Sequence, residues 1–205
     1  MMMQTNIEVE YIPLERNHSL RLATQMGSAW GDIPTIIGDI IKRFDISTES
    51  AIEFGVEWGY STSALSNYFN KVVGVDIFTG DIHAGFKGDI YDMTSEFLKD
   101  FENIELHKAS YQQYISEERS ERYNLAHVDI VHTYEDTYKC GEWCIKHCDI
   151  VVFHDTTSFY DVYRACYDLA SHYDLEFYNY KLSNGLGILV KKNVINDENG
   201  NNTVG

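Results

Sequence analysis

Apolar residues fall in short runs, separated by longer stretches with helical spacing. "AIEFGV" (51–56) is one such run, and the glycine turn after it leads into "STSALSNYF" (61–69), whose pattern predicts a helix. "KVVGVD" (71–76) is a second run, rich in the β-branched residues that suit strands. Helical spacing returns in "YDMTSEFLKDF" (91–101) through Met93, Phe97, Leu98 and Phe101. "IELHKA" (104–109), a short helix near 111–118 and "YNLAHVDI" (123–130) come next. A helix through 134–147 then leads to "DIVVFHD" (149–155), and another through 158–173 carries Val162, Ala165, Cys166, Leu169 and Ala170. Strands alternating with helices predict βαβ units and a mainly parallel α/β sheet with helices on both faces.

The two ends of the chain depart from this alternation. "LEFYNYKL" and "GLGILVKK" are separated by little more than Ser183-Asn184, a spacing that permits only a hairpin, so the sheet should finish with an antiparallel strand. Before residue 50, "SLRLATQMGSAWGDIPTIIGDIIKRF" predicts two helices outside the repeating unit. The expected organisation is one domain over residues 1–192, with residues 1–50 as a helical extension. The tail 193–205 ("NVINDENGNNTVG") has the composition of a disordered end.

Composition narrows the function classes. The chain has 205 residues, enough for one well-packed domain, and 44 % of them are hydrophobic. A formal charge of −16 argues against binding nucleic acid through its phosphates, which takes a clustered Lys/Arg surface. No stretch reaches the length of an apolar membrane span, and the N-terminus lacks a signal pattern, so a cytoplasmic protein is expected. Cys140, Cys144, Cys148 and Cys166 fit reduced thiols used for packing. The oligomeric state is left open, a homodimer among the options.

The stretch "EFGVEWGYSTSALSNYFNKVVGVD" carries the clearest chemical signal. Gly55 and Gly59 flank a turn straight after a strand, and Ser61-Thr62 stand where a helix begins. Glycine allows close backbone approach to a ligand, and a helix start offers free N–H groups. Asp76 ends the next strand, 23 residues after Glu53, which suits a carboxylate that grips a ribose diol. A plain βα turn with Ser61 as an ordinary cap is the alternative. Glu57, inside the turn, would repel a pyrophosphate, so a positively charged nucleoside cofactor fits better than a dinucleotide.

"E-F-G-V-x-x-G-Y-S-T" followed by "V-V-G-V-D" resembles the first two motifs of class I S-adenosylmethionine-dependent methyltransferases, in the branch whose first motif reads E-x-G-x-x-x-G-x-S-T. The resemblance runs from about residue 50 to residue 192 and implies a Rossmann-like seven-stranded sheet in the order 3-2-1-4-5-7-6. It also implies that Glu53, Gly55, Gly59, Ser61 and Thr62 surround the methionine part of S-adenosylmethionine. By the same likeness Asp76 holds the ribose, and Ser110 lies near the adenine.

A second constellation ends the fourth and fifth repeating strands: "HVDIVHTYED" (127–136) and "VVFHDTT" (151–157). In a doubly wound sheet ligands sit at the carboxyl ends of strands, so Asp129, His132, His154 and Asp155 should face the same crevice as the glycine turn. Asp and His are suitable ligands for a divalent ion, Asp favouring Mg²⁺ and His leaning toward Mn, Fe or Zn. The two segments also resemble sugar O-methyltransferases of the same branch. That likeness implies Asp129 and Asp155 as ligands of Mg²⁺ and His132 as the base for a substrate hydroxyl; the expected ion is Mg or Mn. His154 stands where those relatives have a carboxylate and is counted with the metal ligands. His127, Glu135 and Asp136 read as structural, the two acids favouring a helix start.

Two further features stand beside these. "DIFTGDIHAGFKGDIYD" (76–92) reads as a lid or substrate loop, and Trp30 either covers the cofactor or anchors a helix. The expected function is methyl transfer from S-adenosylmethionine to a small hydroxylated molecule such as a sugar or glycoside, with divalent-metal assistance. Two alternatives remain: hydroxylase- or lyase-like metal chemistry on the same fold, or a cofactor-binding module without catalysis.

Overall fold

In the computed structural model, residues 7–23, 28–83 and 86–192 are described. Apolar runs form the strands where the pattern predicts them, β2 (Ser50–Phe54), β3 (Lys71–Asp76), β4 (Ile104–Lys108), β5 (Tyr123–Val128), β6 (Cys148–His154), β7 (Leu175–Tyr180) and β8 (Leu186–Lys191), and a short strand the pattern does not predict, β1 (Glu8–Glu10), precedes them. The helices are α1 (Ile33–Arg43), α2 (Tyr60–Ser66), α3 (Tyr91–Leu98), α4 (Tyr111–Ser116), α5 (Tyr134–His147) and α6 (Tyr160–His172).

The strands make one sheet in the order β1-β7-β8-β6-β5-β2-β3-β4. β8 runs antiparallel to both its neighbours, and every other pairing is parallel. From β2 to β8 this is the expected seven-strand order. The eighth strand, β1, is an addition at the β7 edge, where Glu8 to Glu10 pair with Phe177 to Asn179. The alternation of Ile7, Val9 and Tyr11 with Glu8 and Glu10 was its only sequence signal, and it is too short to stand out.

Side chains alternate between the two faces of the sheet, as strand geometry requires. Ile52, Phe54, Val151 and Phe153 share a core with α4, α5 and α6, through Tyr114, Cys140, Cys144, Val162, Cys166 and Leu169. Ala51, Leu125, Ile150 and Val152 point the other way, toward Ile36, Ile37 and Ile40 of α1 and Leu65 of α2. All four cysteines are buried and free, and burial pushes the thiols of Cys144, Cys148 and Cys166 up, which fits packing.

Of the pair of helices expected before residue 50, the described residues show one, Ile33–Arg43, with Pro34 in its first turn, Lys42 and Arg43 in its last, and an isoleucine stripe facing the sheet. Residues 14–23 are irregular and lie along the surface, and residues 24–27 fall outside the described residues, as does the tail 193–205. The irregular segment is tied down by buried Asp39 of α1. Asp39 accepts hydrogen bonds from the Tyr11 hydroxyl (2.5 Å), the amides of Leu14 (3.2 Å) and Glu15 (3.1 Å), and Arg43 (3.2 Å).

Asp39→Ala would strip four donors of their acceptor at once. Unfolding in urea should show a loss of about 2–4 kcal/mol. A change within about 0.5 kcal/mol would mean that the N-terminal segment is held by its apolar contacts alone.

Candidate active site

The carboxyl ends of β2, β3, β5 and β6 converge on a cavity of about 360 Å³, within the size range of small-molecule sites. Its wall includes Gly55, Glu57, Asp76, Asp81, His83, Ser110, Asp129, His132, His154 and Asp155. Both constellations therefore reach one space.

Of the residues expected around a cofactor, Gly55, Asp76 and Ser110 line this cavity. Asp76 is already well bonded: one oxygen accepts the amides of Val56 and Glu57 (both 2.8 Å), and the other accepts the amide of Phe78 (2.6 Å). Burial nevertheless raises its pKa. Ser110 caps α4 in a capping box with Gln113. Glu53, Gly59, Ser61 and Thr62 stand outside the cavity wall. Glu53 is fully buried, accepting the Thr62 hydroxyl and bonding His127 Nδ1 at 2.8 Å, so both its oxygens are committed inside the fold. Gly59 has φ +80, and a side-chain carbon there would press on Leu98 at 2.6 Å, so it serves packing between α2 and α3.

The histidine–aspartate cluster assembles as four side chains. His132 Nε2 lies 2.9 Å from Asp155 and 3.4 Å from Asp129, while His154 Nδ1 lies 3.2 Å from Asp129 and 3.4 Å from Asp155. Asp129 is the most open of the four, with 27 % of its side chain exposed, and His154 is buried at 1 %. Ligand atoms of Asp129, His154 and Asp155 all lie within 4.8 Å of one another, a spacing that suits one divalent ion. Asp155 adopts φ +66, unusual for a residue with a side chain and concentrated at functional sites elsewhere.

The trailing residues behave as structure. Thr133 is the N-cap of α5, and Asp136 in its first turn accepts the hydroxyls of Thr133 (2.6 Å) and Tyr111. Trp30 is a buried anchor, edge-on to His127 with ring centroids 4.6 Å apart, and it is outside the cavity wall.

Glu57, the acid the sequence placed in the turn, also lines the cavity, as do three residues not anticipated by type, Asp81, His83 and Phe86. These three sit in the loop between β3 and α3, whose length marked it as a candidate lid. His83 Nδ1 accepts the amide of His132 at 3.3 Å, and its ring meets Phe159, on which His132 is stacked at 4.1 Å. Burial raises the pKa of Glu57, and repulsion from Asp129, Asp76 and Asp81 adds to it. A cavity walled by so many carboxylates favours a cationic ligand.

Residues 52–156, half of the chain, match the family described as "Methyltransferase domain". The chain belongs to that methyltransferase family. No curated protein matches it by sequence. Among solved structures, it is similar to the O-methyltransferase TomG from Streptomyces achromogenes in complex with S-adenosylmethionine, at 14 % identity over 75 % of this chain and 77 % of that one, TM-score 0.58. A candidate caffeoyl-CoA O-methyltransferase from Staphylococcus aureus aligns at 11 % identity over 78 % and 83 % of the two chains, TM-score 0.61. An O-methyltransferase from Bacillus cereus in complex with S-adenosylhomocysteine aligns at 14 % identity over 74 % and 77 %, TM-score 0.52. At these identities the likeness establishes a Rossmann-like methyltransferase fold.

In this methyltransferase the cluster's protonation follows from its geometry. Burial alone would lower both imidazoles, but bonds to Asp129 and Asp155 outweigh it, raising His132 to about 9 and His154 to about 10. Burial would raise the two carboxyls, and the bonds from the same histidines hold both below their ordinary range.

The histidine contribution to stability is complete below the ordinary value of 6.5 and is lost as pH rises through about 9 and about 10. The carboxylate contribution is complete above 3.8 and is lost as pH falls toward the depressed values. Calorimetric melting of the metal-free protein should therefore peak at about pH 5–6 and fall by several degrees toward pH 10. His154→Gln should flatten the alkaline limb. A wild-type Tm indifferent to pH over that span would contradict the pairing.

Proposed function

We propose that this chain is an S-adenosylmethionine-dependent O-methyltransferase for a small hydroxylated acceptor, a sugar or glycoside, with a divalent ion, Mg²⁺ or Mn²⁺, held by Asp129, His154 and Asp155. The observation that carries this reading is the single acid-lined cavity whose wall includes both Asp76 and the histidine–aspartate cluster.

In this reading Asp76 takes a ribose hydroxyl. Three backbone donors already occupy its oxygens, which leaves room for about one more hydrogen bond out of a carboxylate's roughly four acceptor sites. Gly55 and Ser110 border the cofactor directly, while Glu53, Gly59, Ser61 and Thr62 shape the turn from behind. Glu57, Asp81 and Asp129 favour a sulfonium over a phosphate by their charge.

The acceptor's hydroxyl is oriented by Asp129 and Asp155 and deprotonated at His132 Nε2. The other ring nitrogen of His132 is buried without a partner, so proton exchange runs through Nε2. A divalent ion at the three ligands would supply Lewis-acid stabilisation of the developing alkoxide. In-line transfer moves the methyl group from sulfur to oxygen, leaving a neutral thioether, and the proton remains on His132. Alignment of the two reactants is the larger contribution, since a methyl sulfonium needs little further activation.

Calorimetry should detect S-adenosylmethionine and its demethylated product binding at micromolar concentrations, and Asp76→Ala should abolish both. His132→Ala should lower kcat by about 10²-fold with cofactor affinity unchanged. Because His132 acts as a base from a raised pKa, the rate without added metal should climb from neutral pH toward about 9. Absence of cofactor binding at high micromolar concentration would overturn the proposal.

A further inference from the structure

The turn joining β7 to β8 grips the segment that carries two of the proposed metal ligands. Ser183, Asn184 and Gly185 all adopt left-handed φ, at +52, +64 and +92. Three successive carbonyls thereby become acceptors for a single stretch of chain. Ser183 O accepts His154 Nε2 at 3.1 Å, Asn184 O accepts the Thr157 amide at 2.9 Å, and Gly185 O accepts the Asp155 amide at 3.0 Å. Two consecutive left-handed residues with side chains suit a tight hairpin turn, and contacts from outside hold this one in place.

Asp32 does so from outside the hairpin. Its carboxylate accepts the Ser183 hydroxyl and the Tyr180 hydroxyl, both at 2.6 Å, and pairs with Arg16. The Asp32 amide also donates to Ser183 Oγ at 3.3 Å. Gly185 has no room for a side chain, since a carbon there would lie 2.5 Å from Thr156 Oγ1 and 2.6 Å from the Thr157 amide.

The chemical consequence falls on His154. A carbonyl can only accept, so Nε2 must carry a hydrogen, and in the neutral imidazole the lone pair is then on Nδ1. Nδ1 is the atom that faces Asp129 and Asp155. Metal-bound histidines are oriented by such an outer hydrogen bond, and an imidazole beside two carboxylates shifts a site from hard Mg²⁺ toward the first-row transition ions.

We propose that the Ser183–Gly185 turn, locked by Asp32, is an outer clamp that commits His154 Nδ1 to the metal and makes this a Mn²⁺-selective site over Mg²⁺. The inference rests on the metal site of the proposed function, but it can fail while cofactor binding stands. Asp32 and Ser183 are positioning residues here: they touch neither cofactor nor acceptor and act through His154.

The test uses full-length protein stripped of metal and titrated with Mn²⁺ or Mg²⁺, read by calorimetry and by electron paramagnetic resonance of the bound Mn²⁺. Mn²⁺ should bind at least about tenfold more tightly than Mg²⁺, and pulsed resonance should show one directly bound nitrogen. His154→Asp should abolish the nitrogen signal and erase the preference. Ser183→Ala and Asp32→Asn should each weaken Mn²⁺ by about tenfold while leaving Mg²⁺ nearly unchanged, with melting curves confirming a folded chain. Equal affinities in the wild type, no binding of either ion, or a preference that survives His154→Asp would each overturn the proposal. Calorimetry with S-adenosylhomocysteine on the same samples reports separately on the cofactor site.

Discussion

A side-chain carbon at residue 55 would lie 1.7 Å from the carbonyl oxygen of Asp129, a separation no two atoms can share without a bond. Gly55 has φ +95, its amide donates to Val75 O at 2.9 Å, and the Asp129 amide donates to Phe54 O at 2.8 Å. Three strand ends therefore meet where this one residue lacks a side chain. That closeness is what brings Asp76, reached through Val56 and Glu57, into the same wall as Asp129 and its histidines. The glycine that looks like a place for ligand approach is first a place where the protein approaches itself.

The cavity's charge follows from the same convergence. The ends of β3, β5 and β6 contribute Asp76, Asp129 and Asp155, and the turn after β2 adds Glu57, whose pKa is raised by burial and by its neighbours' repulsion. Within the cluster, two histidines answer two aspartates, so Asp129 and Asp155 are compensated locally. Among the described residues, Glu57 and Asp76 form no ion pair with a cation, and Asp76 is met by backbone amides instead. The uncompensated charge is thus concentrated away from the cluster, which gives the cavity a polar gradient: acidic where a sulfonium would be stabilised, balanced where a hydroxyl would lose its proton.

Much of this was legible beforehand, because it depends on local periodicity. Valine-rich runs and helical stripes located the strands β2 to β8, the family resemblance implied their order, and the carboxyl-end rule placed Asp129, His132, His154 and Asp155 together. What was not legible depends on contacts between distant segments. Glu53 looked free to meet a ligand because its partner, His127, lies 74 positions away on the adjacent strand. His83 carried no pattern of its own and gained a role only when its loop crossed to His132. The edge strand Glu8–Glu10 is too short for an alternating pattern to register, and it is held in place by its parallel pairing with β7.

The family match covers residues 52–156, the βαβ repeat from β2 to the end of β6. Segments beyond it complete the surroundings of the histidine–aspartate cluster. Ala29 lines the cavity, Trp30 packs against His127 and lies 6.3 Å from His154, and Asp32 locks the β7–β8 turn whose carbonyls hold His154 and Asp155. A repeat that places a cofactor turn next to a pair of strand-end acids can serve many acceptors. On the proposed function, the flanking segments that orient those acids and their histidine are where any specificity for an acceptor or an ion would be written.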